Sequence, residues 1–146
     1  MNSNQITNIL KNNFFSRRYF IGVFSADTIP HSISRYPCSF VCNNKRSTHP
    51  GEHWLAFYLP SPTTIECFDS FGRKQNGLIG EYLRKFKNVY QNSIPLQSMY
   101  EISCGPFVIF FILKRSMGVP FHQIIDELSK QAFRDAYVKL FTSYLV

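Results

Sequence analysis

The sequence has no apolar run long enough to cross a bilayer. Its longest, Phe107 to Leu113, falls far below the roughly 20 residues that a membrane-spanning helix needs, so no membrane partner is expected. An apolar leader is missing too: the opening stretch MNSNQITNILKNN is polar with isolated apolar positions, which reads as a chain that stays inside the cell. Acidic residues are scarce, 9 Asp and Glu against 16 Lys and Arg, and the formal charge of +7 sets up a positive field for polyanions or acidic partners. The basic residues sit in small separated clusters, Arg17–Arg18, Lys45–Arg46, Arg73–Lys74, Arg84–Lys85 with Lys87, and Lys114–Arg115. That distribution suits a solvated surface and non-specific DNA binding equally. Cysteine is sparse: Cys38, Cys42, Cys67 and Cys104 lack the dense spacing of a disulfide scaffold and read as reduced thiols. No repeat, low-complexity tract or linker divides the chain, so residues 1–146 read as one monomeric domain able to build a core without staples.

What is present is a set of short apolar segments with two different periods. Ile6, Ile9 and Leu10 follow Ser3–Asn4 at helical spacing and predict a short amphipathic helix with a polar cap, structural in role. Tyr19 to Phe24 and Ser39 to Asn43 read as strands, separated by a proline-broken loop from Asp27 to Pro37. His53 to Leu59 and Ile65 to Phe71 flank Pro60–Ser61–Pro62–Thr63 and predict a hairpin. Pairing Phe57 with Ile65 and Leu55 with Cys67 puts His53 opposite Asp69. Gly77 to Tyr90 carries apolar residues at helical intervals, and Val89 to Leu96 suggests a further strand. The run from Cys104 is apolar nearly all round and predicts a buried central helix, stopped by Gly118 and Pro120; Phe121 to Tyr144 predicts one broken helix or two. The fold class expected is α+β: a mostly antiparallel central sheet packed by helices, with the buried one starting at Cys104.

A thiol at a helix start has chemical consequences. The unpaired N–H groups and the dipole at that end favour negative charge, lowering the pKa of Cys104 toward the nucleophilic thiolate. Taken alone, a cysteine beside an apolar helix is more often inert, and a His before Trp or an Asp before Ser-Phe-Gly is more often structural. Together they supply the roles that acyl transfer requires. Cys104 is the candidate nucleophile, His53 its proton partner and Asp69 the group that orients the imidazole. Gln97, with the Cys104 backbone N–H, is the candidate oxyanion hole.

GEHWLAFYLP, then ECFDSFG, then Gln97 seven positions before Cys104–Gly105 at the start of an apolar helix resembles the adenovirus-type cysteine endopeptidases, the adenain family, related to the ubiquitin-like-protein (SUMO) proteases. The resemblance runs from Tyr19 to about Leu113 and extends to YFIG and CSFV. It implies a single adenain-like protease domain with His53, Asp69, Gln97 and Cys104 as catalytic residues, and Trp54 and Gly105 lining a narrow cleft for a protein substrate cut next to glycine. It implies processing of viral or transposon-encoded structural precursors, a place in the nucleus or the virus particle, and no cofactor for the chemistry itself. Activation by DNA or by a viral peptide belongs to the same resemblance. Members of that family carry a cysteine shortly before the Gln for disulfide capture of the peptide, whereas no cysteine lies between Cys67 and Cys104 here. They are also longer, and their acidic member is commonly Glu where this chain has Asp69.

Three other readings compete. A deconjugating protease for a ubiquitin-like modifier needs the same motif. A basic nucleic-acid-binding protein without turnover would have no use for the intact set of four. A zinc module on Cys38, Cys42, His49 and His53 has the short spacing C-x3-C-x6-H-x3-H, and an extended strand would hold its two cysteines about 13 Å apart at roughly 3.3 Å per residue. No metal site is therefore assigned.

Overall fold

The short apolar segments assemble into one sheet around the long one. In the computed structural model, residues 1–48, 53–99 and 101–145 are described. They form α1 (Ser3–Asn12), β1 (Phe20–Phe24), β2 (Cys38–Asn43), β3 (Trp54–Ser61), β4 (Thr64–Phe68), α2 (Gly77–Leu83), β5 (Asn88–Gln91), α3 (Cys104–Ser116), α4 (Phe121–Ser129) and α5 (Arg134–Ser143). This is a single α+β domain whose five strands lie in the order β1-β2-β3-β4-β5. The middle three are antiparallel, as expected, and both edge strands pair parallel to their neighbours. The mixture follows from the connections: parallel neighbours need a crossover of a dozen or more residues, and the loop after β1 and the segment carrying α2 are both long enough.

Alternation along the strands gives the sheet two apolar faces. Phe40, Leu55, Phe57 and Cys67 pack toward α2, whereas Val41, Ala56 and Phe68 pack toward α3. Phe107 to Leu113 of α3 are completely buried, which explains why that helix is apolar on every side. Phe68 stacks on Phe111 at 4.8 Å between centroids. The far end of α3 is pinned as well. Arg115 Nε donates to Glu66 Oε1 at 2.7 Å on β4, and its guanidinium lies 4.1 Å from the centre of the Tyr58 ring. Lys114 pairs with Glu127 at 3.3 Å, so this basic cluster is engaged in ion pairs. A helix held at its C-terminal end and along its length has one place left for its first residue, Cys104.

Two local expectations are corrected. The hairpin pairs Phe57 with Cys67 and Tyr58 with Glu66, two residues away from the register expected from the sequence. The cause is the turn: Pro60 and Ser61 continue β3 through a register irregularity, leaving Pro62–Thr63 as the turn. A slip of two preserves the faces, because side chains alternate with period two. The helix expected from Gly77 to Tyr90 ends at Leu83, and Asn88–Gln91 form β5 on the open edge of β4. Helical spacing of Phe86, Val89 and Tyr90 yields there to a strand edge and to the β-preference of Val-Tyr. Elsewhere α1 begins one residue earlier than Ser3–Asn4 implied, with Asn2 as cap in a reciprocal pair with Gln5. The C-terminal region forms two helices.

Candidate active site

Cys104 is the first residue of α3 and is half-buried. Pro106 suits the first turn, where its missing N–H would have had no helical partner. The Cys104 sulfur receives the His53 imidazole and the backbone N–H groups of Trp54 and Gly105. Burial pushes this thiol up, but the His53 hydrogen bond, the two backbone donors and the imidazolium charge outweigh it, and the net shift is downward. His53 shows the opposite balance: burial pulls it down, while Asp69 and Cys104 together raise it to about 9. A depressed thiol beside an elevated imidazole favours a thiolate–imidazolium pair.

His53 Nε2 lies 2.6 Å from Asp69 Oδ1, which leaves Nδ1 for the thiol. Both residues lie just beyond the ends of β3 and β4. Extending the observed register puts Leu55 across from Asp69 and His53 across from Phe71, so the His–Asp contact is diagonal rather than directly opposed. The Phe71 ring accordingly lies 4.7 Å from the imidazole, with Arg73 on it at 4.6 Å. Asp69 has donors besides His53: Phe71 N at 2.9 Å, Arg73 N at 3.2 Å and Gln75 Nε2 at 3.1 Å. Burial raises this carboxyl, and the His53 bond with the backbone donors more than reverses that, holding it below its ordinary value. Asn92 fixes its backbone by accepting from Asp69 N at 2.9 Å and donating to Asp69 O at 2.6 Å.

The sheet end and α3 thus bring together His53, Asp69, Cys104, Trp54 and Gly105. Trp54 and Gly105 line a cleft of about 590 Å³ with His53 and Cys104. Its other walls include Met1, Asn2 and Ser3, so the α1 segment read as purely structural also borders the site. Trp54 Nε1 donates to Met1 O at 3.1 Å. A Cβ placed on Gly105 would meet Met1 Cβ at 2.8 Å, so this wall has no slack.

Gln97 is not brought into that cleft. Its Oε1 accepts from Ser70 Oγ at 2.6 Å and its Nε2 donates to the Glu101 carbonyl at 2.8 Å, so it stands beside the site, tied to the residue after Asp69. Sequence reasoning missed Ser70, Asn92 and Gln75. Their only signal is proximity to Asp69 in a fold that the local pattern does not specify. Of the zinc alternative, Cys38 and Cys42 are buried in β2, their thiols pushed up by burial to about 11 and about 12, and His49 lies outside the described residues. Among the described residues no three His, Cys, Asp or Glu side chains form a metal-holding group, and no helix is long and apolar enough to cross a membrane.

No protein-family model matches this chain, and no curated protein does. Among solved structures, the ASFV pS273R protease aligns over 92% of this chain with TM-score 0.62 and 19% identity. The central domain of the uncharacterized Lpg1148 protein from Legionella pneumophila aligns over 99% of this chain and 94% of its own, with TM-score 0.56 and 15% identity. The chain spans 65% of the length of the ASFV protease it matches. At these identities the likeness establishes the fold alone, one that resembles the fold of a viral cysteine protease.

Proposed function

We propose that this chain is a thiol endopeptidase of the adenain type. The observation that carries the reading is the line Cys104–His53–Asp69, with the thiol at a helix start and its pKa moved opposite to that of the imidazole. The Cys104 thiolate attacks the scissile carbonyl, and the charge that develops on oxygen is met by the Cys104 N–H, an orphan donor of the first helical turn. The Gln97 amide is the second donor of this proposal, one of its N–H bonds being held by Glu101. The imidazolium gives its proton to the leaving amine, the acyl-enzyme forms, and neutral His53 then takes a proton from the water that hydrolyses it. Asp69 stays ionised and fixes the ring.

The substrate class proposed is a protein cut next to a small residue. Trp54 and Gly105 border the thiol, and a small residue next to the scissile bond, glycine above all, is the specificity proposed for this cleft. A structural precursor protein of viral or transposon origin is the substrate proposed, in keeping with the fold shared with the ASFV protease. DNA is a proposed partner for the exposed Arg17–Arg18, Arg73–Lys74 and Arg84–Lys85 clusters. Cleavage of a peptide library by the wild type beside Cys104→Ala tests the reading. Cuts next to glycine are expected from the wild type alone; the same cuts by both proteins would overturn it.

A further inference from the structure

The segment from Gln97 to Cys104 carries the proposed oxyanion donors, yet its described residues before Cys104 lie in no helix or strand. Besides the Gln97 amide on the Glu101 carbonyl, α5 helps to hold it. The Asp135 carboxylate accepts the backbone N–H of Ser98 at 3.0 Å and the hydroxyl of Ser103 in a short bond. Lys139, one turn further along α5, pairs with Glu101 at 2.5 Å. The two residues that Asp135 joins are the one after Gln97 and the one before Cys104.

The behaviour of Ser103 is informative. It is the N-cap of α3, completely buried, and serine at that position ordinarily accepts an N–H from the first turn. Here its side chain makes no such bond. The third helical residue is Pro106, which has no N–H, and the Gly105 N–H is directed to the Cys104 sulfur. The Ser103 hydroxyl is therefore released from capping and donates to Asp135. The Gly105 N–H stays with the reacting thiol while a residue from another helix holds the Ser103 hydroxyl.

We infer that Asp135 is a positioning residue for the reaction: its carboxylate joins both ends of the segment from Ser98 to Ser103 and so sets the oxyanion donors against the nucleophile. The inference rests on the peptidase reading. Lys139–Glu101 is half exposed and reinforces the same contact weakly. Asp135 touches neither His53 nor the sulfur among the contacts of the described residues, so its loss leaves the thiolate–imidazolium pair in place. Acyl transfer and simple alkylation of Cys104 then respond differently, because alkylation develops no oxyanion.

The test compares wild type, Asp135→Asn and Asp135→Ala in hydrolysis of a glycine-containing peptide and in the rate of Cys104 alkylation by iodoacetamide. With Asp135→Ala, kcat is expected to fall roughly 10–100-fold at unchanged KM, the size of effect that a misplacement near 1 Å produces. Asp135→Asn, which keeps acceptor capacity without charge, should lose less, and the alkylation rate should stay at the wild-type value in both. Unchanged hydrolysis in Asp135→Ala overturns the inference. So does a parallel fall in hydrolysis and alkylation, which would mean that Asp135 merely supports the fold. A wild type with no Cys104-dependent hydrolysis overturns the peptidase reading itself, a result distinguishable from either.

Discussion

Four cysteines occupy two regions of this molecule and are driven in opposite directions. Cys38, Cys42 and Cys67 lie inside the sheet, where burial dominates; the first two thiols rise to about 11 and about 12, and Cys67 rises well above its ordinary value. Cys104 is also largely shielded, and burial is again its largest influence. It nevertheless moves down, because His53 and two backbone N–H groups face its sulfur. The difference teaches that concealment alone does not make a thiol inert. What matters is whether the surroundings offer donors and a cation to the charged form, and only the start of α3 does so.

The comparison breaks most sharply under single Cys→Ala substitution. Cys104→Ala should abolish glycine-directed hydrolysis while Cys38→Ala, Cys42→Ala and Cys67→Ala keep wild-type kcat; a dead Cys67→Ala variant with a folded far-UV spectrum would dissolve the distinction. Next comes the source of the asymmetry. Asp69→Asn keeps the shape of the side chain and removes the charge supporting His53, so kcat should fall by roughly 10²–10⁴-fold. A fall under tenfold would show that the imidazole needs no such support. Gln97→Ala should reduce kcat by roughly 10²–10³-fold if its amide reaches the oxyanion. Because Gln97 rests on Ser70 and Glu101 outside the cleft, a negligible effect would make it a strut of the loop.

Titration sharpens the same contrast. The reactive pair exists above the lowered pKa of Cys104 and below the value of about 9 reached by His53. Going up in pH, kcat/KM should rise as the thiol ionises and fall as His53 loses its proton near 9, giving a bell. At pH 7 the native protein should take up iodoacetamide at Cys104 at least ~10² times faster than at the strand thiols, since only thiolate reacts. Mass spectrometry of peptides after timed quenching reads this directly. Equal labelling of Cys38 and Cys104 would contradict the opposed shifts.

The α3 region was the most legible part of the sequence, because an all-round apolar helix beginning at Cys-Gly-Pro leaves little freedom over where its first residue goes. The side-chain alternation of the hairpin was legible too, and it put His53 and Asp69 on one face even though the register expected was wrong by two. The register itself depended on whether Pro60 and Ser61 belonged to the turn or to β3, a choice settled by pairing across the sheet. The edge strand β5 was legible in part: a strand was expected from Val89 to Leu96 in overlap with a helix running to Tyr90, and it forms at Asn88–Gln91, where β4 presents an open edge. Least legible were the supports. Asn92, Ser70 and Asp135 reach their partners across 23, 27 and 32 positions of sequence, and polar residues at such separations carry no periodic signal.

The smallest expected effect concerns the other side of the comparison. Cys67 is almost completely buried in β4, on the face that carries Phe57 and Ile65, and its thiol stays protonated at any physiological pH. It therefore acts as a small hydrophobe, and its removal touches packing rather than chemistry. Cys67→Ala leaves a cavity about one sulfur in size and should lower the unfolding free energy by about 1 kcal/mol, readable as a shift in the denaturant midpoint at unchanged m-value. Cys67→Ser should cost more, because the hydroxyl enters the same apolar site and must find a partner there. If serine were instead as well tolerated as alanine, the sheet interior around Cys67 would be accessible to water. The high thiol pKa that separates the strand cysteines from Cys104 would then lose its physical basis.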